Sequence, residues 1–315
     1  PRIDFSNDAK GALLLEPQST NLVTYSEDFS NAAWTGGGIT ISGGYLAPDG
    51  SDNAYKVSSS GGVFNGDFGL IESTTRSIYA RTVSGAGKIS LLSYFGNSNN
   101  LFDITEEWQR FEVSTSISTG SNSFYAVDFR SSSATLSEVI IWGANATNDQ
   151  SYATSYIPTQ GQSGGVTRVA DVSSLSNNAF VDPQNGNKTY TFNFSLPSID
   201  GVSVYDLMSK FVDNSNRFRL SFRSSQPDFE LYMKIGGVNL VFIVFSAALV
   251  ANTDYELKIV INNGVSNQVY LNGVLQTLTS DTHSAGNITL NTPFYLGSYH
   301  TALTSNVNLK SFKTQ

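Results

Sequence analysis

Arginine recurs in Arg217-Phe218-Arg219-Leu220-Ser221-Phe222-Arg223. Successive side chains of a strand point to opposite faces, so Arg217, Arg219 and Arg223 share one face and the apolar residues the other. A guanidinium offers planar, multi-donor contacts suited to carboxylate, sulfate or phosphate. With Tyr232 on the polar face of FELYMKI, these arginines form a candidate patch for an acidic ligand. The competing reading is a solvated sheet face balanced by Glu230, Glu256 and Lys258 on neighbouring strands.

A second set combines rings with one cation: Tyr79, Tyr94 and Tyr125, with Arg81 on the face of Tyr79. A tyrosine ring buries area while its hydroxyl stays wet, which suits it to ligand contact. The three tryptophans read as packing residues. Trp142 follows Val139-Ile140-Ile141, Trp108 precedes a strand, and Trp34 sits in an Ala-Ala-Trp-Thr-Gly loop.

Glu27, Asp28 and Glu138 lie at opposite ends of one run of strands. Asp213-Asn214-Ser215-Asn216 reads as a turn. The acid pair of a glycosidase has no counterpart, because Glu106 and Glu107 are adjacent and would face opposite ways on a strand. Gly-x-Ser-x-Gly, HExxH and P-loop patterns do not occur. The two histidines, His283 and His300, have no Ser/Asp constellation nearby in sequence.

The elements that must position these residues are strands. The chain has 315 residues, 12% of them aromatic and only 14% charged, with no cysteine. That length favours two domains, and the composition a β-rich protein without disulfides. Residues 1–165 hold 8 basic and 16 acidic residues, and residues 166–315 hold 10 of each. The acidic half should repel nucleic acid and anionic membranes. The longest apolar run, Val238 to Val250, is too short to span a bilayer and is interrupted by Ser246, so no membrane insertion is expected. An opening at Pro1 without Met, and an end in LKSFKTQ, read as cuts from a longer protein.

Period-2 patterning predicts strands near Ile39–Ile41, Ala54–Val57, Ser77–Val83, Lys88–Tyr94, Gln109–Ser114, Phe124–Phe129 and Glu138–Trp142. TQGQSGGVTR, Thr159 to Arg168, reads as linker. Beyond it TYTFNFSL, RFRLSFRS and FELYMKI alternate cleanly, and Asn272-Gly273 marks a two-residue hairpin. The expected fold is all-β, with two tandem antiparallel β-sandwich (jelly-roll) domains. The expected division is a lead-in over 1–20, sandwiches over 21–158 and 181–315, and a linker over 159–180.

LLLEPQSTNLVTYSEDFSNAAW, followed by VIIWGAN and SYATSYIPT, resembles a recurrent module of bacteriophage tail and head fibre proteins and prophage adhesins, over about residues 1–172. Its folded part resembles a carbohydrate-binding-module jelly roll. YELKIVINNGVSNQVYLNGVL and FYLGSY resemble a laminin-G or concanavalin-A-like lectin sandwich. The resemblance implies a non-catalytic, glycan-binding (receptor-binding or decoration) protein on the virion surface, or else on a bacterial surface or secreted. It also implies cell-surface glycans and other fibre or capsid proteins as partners and, by analogy, a homo-oligomer. Calcium is common in both β-sandwich families, and the resemblance implies a structural calcium with Glu27, Asp28 and Glu138 as candidate oxygen ligands, and no other cofactor. The alternatives are structural lobes without a ligand and a polysaccharide depolymerase.

Overall fold

The computed structural model describes residues 2–4, 12–70, 74–93, 99–114, 123–148, 150, 152–171, 173–175, 181–184, 186–201, 203–262, 265–284, 286–299, 303–304 and 307–315. Strands pair antiparallel throughout these residues, and the fold is all-β. The chain divides into two compact units, Ser19–Arg168 and a second made of Pro1–Gln18 with Val169–Gln315. The first, here the inserted unit, interrupts the second, the split unit.

This division differs from the one the sequence suggests. The lead-in belongs to the split unit, where Leu13, Leu14 and Leu15 pair with Leu309, Asn308 and Val307. Leu15 is fully buried, so the apolar run is sheet. The Glu16 amide donates to the Asp171 carboxylate (3.1 Å), and the Asp171 amide donates to the Glu16 carbonyl (2.9 Å). These bonds tie the strand's exit to the point where the chain re-enters the unit.

Two pieces of the expected linker are strands. Val166–Arg168 pairs with Ser19–Asn21 inside the inserted unit, and Ser173–Leu175 pairs with Phe294–Leu296 inside the split unit. Gly165 has φ of +86° and would set a Cβ only 2.0 Å from the Asn21 carbonyl. Close backbone approach explains that glycine, where composition alone suggested flexibility.

The inserted unit is a sandwich of two five-stranded sheets. One sheet runs Leu101–Ile104, Gly87–Ser93, Ser123–Asp128, Val63–Asp67, Trp34–Thr35. The other runs Gln109–Val113, Thr75–Arg81, Glu138–Thr147, Ala54–Ser58, Thr40–Tyr45. Alternation sends Ile78, Ala80, Val139 and Ile141 inward against Phe64, Leu91, Phe124 and Val127. Trp34 closes this core, stacked on Phe64 at 5.4 Å, with its indole N–H on the Tyr25 carbonyl at 2.8 Å.

The split unit packs two seven-stranded sheets. One runs Arg2–Asp4, Ala12–Leu15, Val307–Thr314, Lys188–Ser195, Tyr255–Ile261, Gln268–Leu271, Val274–Leu275. The other runs Ser173–Leu175, Phe294–Leu296, Val204–Asp213, Asn216–Arg223, Asp228–Ile235, Val238–Ser246, Ser280–Thr282. Tyr190, Phe192 and Phe194 of one sheet meet Phe218, Leu220, Phe222 and Phe229 of the other. Asn272 and Gly273 adopt positive φ (50° and 77°), the backbone that the Asn-Gly pair favours in a two-residue hairpin.

Candidate functional site

Asn21 organises one end of the inserted unit. Its buried amide donates to the carbonyls of Ala144 (3.0 Å) and Ile157 (2.7 Å). Its oxygen accepts from the amides of Val23 (3.1 Å) and Ala146 (3.0 Å). One side chain thus fastens the opening segment to the last long strand and to the segment Tyr152–Gly161.

Ser26 and Thr159 add a second clasp. The Ser26 amide donates to Thr159 Oγ1 (3.0 Å), and the Thr159 amide donates to Ser26 Oγ (2.8 Å). Thr159 Oγ1 donates onward to the Val23 carbonyl (2.5 Å). Both residues are buried, so each polar atom needs its partner.

Beside this clasp lies a cleft of about 330 Å³, lined by Tyr25, Glu27, Asp28, Asn53, Tyr55, Thr159 and Gln160. Tyr25 and Tyr55 are half-buried and Gln160 is exposed. Glu27 accepts from the Tyr156 hydroxyl at Oε1 (2.8 Å) and from Asn53 Nδ2 at Oε2 (3.0 Å). Asn53 is fixed in turn, because its oxygen accepts from Trp142 Nε1 (2.8 Å) and Ser51 Oγ (2.6 Å). Asp28 Oδ1 accepts from Ser30 Oγ (2.6 Å) and the Tyr55 hydroxyl (3.3 Å). Burial pushes the Tyr156 phenol well up, so it stays a neutral donor. The cleft therefore offers two tyrosine side chains and a set of held polar groups, the ingredients for a ligand with many hydroxyls.

Tyr79 and Arg81 lie on the outer face of the sheet that supports this cleft. Tyr79 meets Trp142 edge-on at 5.4 Å, and Trp142 meets Tyr156 at 4.8 Å. The Arg110 guanidinium lies over Tyr79 (5.7 Å), and that of Arg81 over Trp108 (5.3 Å). Tyr79 therefore acts behind the cleft, as packing for the residues that hold Asn53 and Glu27. Tyr125 does not join it. It is buried in the opposing sheet beneath Arg130 (5.6 Å), on the face opposite its core neighbour Phe124. Tyr94 lies outside the described residues.

The arginine stripe faces outward, but neighbouring acids occupy it. Arg219 grips Asp206 through Nε (2.5 Å) and Nη2 (3.1 Å). Arg223 grips Asp228 (2.7 and 2.6 Å) and also pairs with Glu230 (2.7 Å). Arg217 bonds Asn214 (3.0 Å) and lies over the Tyr232 ring (4.9 Å), and Tyr232 itself is buried. The expected acidic-ligand patch is thus internally compensated. Of the acids anticipated as balance, Glu230 takes part; Glu256 belongs to a strand of the other sheet.

The expected calcium ligands do not converge. Glu138 pairs with Lys56 (3.2 Å), while Glu27 and Asp28 face the cleft. Among the described residues no group of three or more His, Cys, Asp or Glu could hold a metal.

No family model and no curated protein matches the chain. Solved structures that it resembles in part include the carbohydrate-binding module CBM66 from Bacillus subtilis, at 13% identity, 41% of this chain, 75% of that one and a TM-score of 0.30. They also include Caenorhabditis elegans galectin LEC-6, at 12% identity, 46% of this chain, 90% of that one and a TM-score of 0.31. Sheep galectin-11 has 14% identity, 46% and 96% coverage and a TM-score of 0.28. Each likeness covers less than half of this chain.

Proposed function

We propose that the inserted unit is a non-catalytic saccharide-binding module of a virion fibre, and that the split unit is its stabilising lobe. The observation that carries this reading is the cleft between Tyr25 and Tyr55, with Glu27 and Asn53 fixed by Tyr156 and Trp142. Ring faces pack on sugar C–H groups, and held acceptors order the hydroxyls. Glu27 already accepts a donor at each carboxylate oxygen, an arrangement suited to a fixed acceptor. The split unit supports the second half of the reading, because its outward arginines are engaged by Asp206, Asp228 and Glu230.

On this reading, single sites hold host cell-surface glycan weakly, and several copies on one particle supply avidity. The test is a glycan array probed with an oligomerised form of the chain, followed by titration of any glycan that is retained. Binding that is lost in Tyr55→Ala and retained in Arg219→Ala supports the assignment. Retention of glycan by both variants, or release of reducing sugar from it, overturns it.

A further inference from the structure

Lys210 and Asp182 face each other in the core of the split unit, each side chain only 1% exposed, with Nζ 2.7 Å from Oδ1. The bulge between Asp206 and Met208 shifts the strand's alternation, so Lys210 pairs across to Phe218, and its Nζ lies 5.6 Å from that ring. Val181, Tyr190, Met208 and Phe294 complete an apolar wall. The Leu290 amide points at the second carboxylate oxygen, Oδ2, at 3.4 Å.

A salt bridge this deep recovers little of its desolvation cost. Burial raises the pKa of Asp182 and lowers that of Lys210. Both shifts favour the neutral forms, a carboxylic acid beside a free amine. Those are the two reactants of amide formation, already in contact.

We propose that Lys210 and Asp182 join in an intramolecular isopeptide bond. The ammonium gives one proton to the carboxylate, leaving amine and acid. The Nζ lone pair attacks Cγ, and charge develops on an oxygen beside the Leu290 amide. A second nitrogen proton then leaves with the acid hydroxyl as water, and the C–N bond remains. Nothing is oxidised or reduced, and no co-reactant is needed. Bulk water opposes this condensation, but held reactants reach effective molarities of roughly 10⁵ M or more, and the dry site disfavours hydrolysis. The bond would join the segment ahead of Lys188–Ser195 to the strand Val204–Asp213, across 28 positions of a chain without cysteine. It would staple the unit as a disulfide staples a secreted domain.

Intact mass spectrometry of the denatured full chain tests this directly. The expected result is a mass below the sequence mass by one water, about 18 Da, with a branched peptide linking Lys210 to Asp182. Lys210→Arg keeps the charge but should restore the full sequence mass. A wild-type chain at its full sequence mass overturns the proposal, as does a water loss that persists in Lys210→Arg. If that variant fails to fold, the wild-type fragment spectrum decides alone: a water loss mapped to any pair other than Lys210 and Asp182 rejects the cross-link.

Discussion

The two units place similar residues on their outer surfaces and use them differently. On the split unit, Arg219 and Arg223 close on Asp206, Asp228 and Glu230, and the charges are consumed by the sheet itself. On the inserted unit, Glu27 and Asn53 are held from behind by Tyr156 and Trp142, with two tyrosine rings beside them. Both surfaces hold polar groups rigidly. On the second, a cleft lies beside them. Charged side chains in a row thus signal a ligand site only when their partners lie behind them and not beside them.

The largest expected effect tests the frame of the cleft. Asn21→Ala removes four hydrogen bonds and leaves the Val23 and Ala146 amides buried without partners. Each orphaned group costs about 1–3 kcal/mol, so the inserted unit should lose on the order of 3 kcal/mol or more. Thermal unfolding should shift strongly, and hydrogen exchange should place the loss in residues 19–168. Loss confined to the split unit would contradict the clasp.

Next in size is the arginine face. Arg219→Ala removes the guanidinium from Asp206, whose side chain is 3% exposed. Breaking a buried pair is strongly destabilising, but Arg219 is itself 20% exposed, so about 1–3 kcal/mol is expected. Asp206→Ala added to that variant should recover part of the loss. Saccharide binding should not change in either variant. A drop in binding at constant stability would return the stripe to the list of ligand sites.

The cleft residues come third. Tyr55→Ala should weaken saccharide binding about tenfold, equal to roughly 1.4 kcal/mol, measured below the variant's own unfolding transition because Tyr55 also packs edge-on against Phe29 of the core (5.9 Å). Tyr156→Phe removes the donor to Glu27 and should cost a smaller factor, because Asn53 still holds the other oxygen. Calorimetric titration separates the two variants. Equal losses would make Tyr156 a contact residue.

Much of this fold was legible in the sequence. Phe218, Leu220 and Phe222 alternate with arginines, and the structure buries all three. Strands whose faces differ in polarity declare themselves. Val204–Asp213 did not, because bulges shift its register and place Lys210 on the buried side. The split unit's first strands were hidden for another reason. Their partner, Val307–Thr314, lies some 300 residues away, and no local pattern reports so distant a pairing. The cleft was missed through a reading of roles. Asn21, Ser26, Tyr156 and Thr159 all fall within the two framing motifs, TNLVTYSEDF and SYATSYIPT, which read as module boundaries, and Glu27 beside Ser26 read as a calcium ligand. A buried Asn, Ser and Thr on both sides of a domain was the signal that the two ends clasp each other.

The smallest expected effect concerns an arginine–aspartate grip in the inserted unit like those of the split unit. Asp128 is fully buried and gripped by Arg130 through Nε (2.9 Å) and Nη2 (2.5 Å), with Ser93 donating at 2.7 Å. Burial alone would raise its pKa, but these donors outweigh it and hold the carboxyl below its ordinary 3.8. A depressed carboxyl contributes stability above its unfolded value and loses it as pH falls through the folded one. The inserted unit should therefore lose this increment in acid, below about pH 4. Asp128→Asn should flatten that part of the stability curve and leave saccharide binding at neutral pH intact, since Asp128 lies outside the cleft. Unfolding midpoints across an acid series measure the slope. An unchanged slope in the variant would mean that this pair, unlike Arg219 with Asp206, is not coupled to folding.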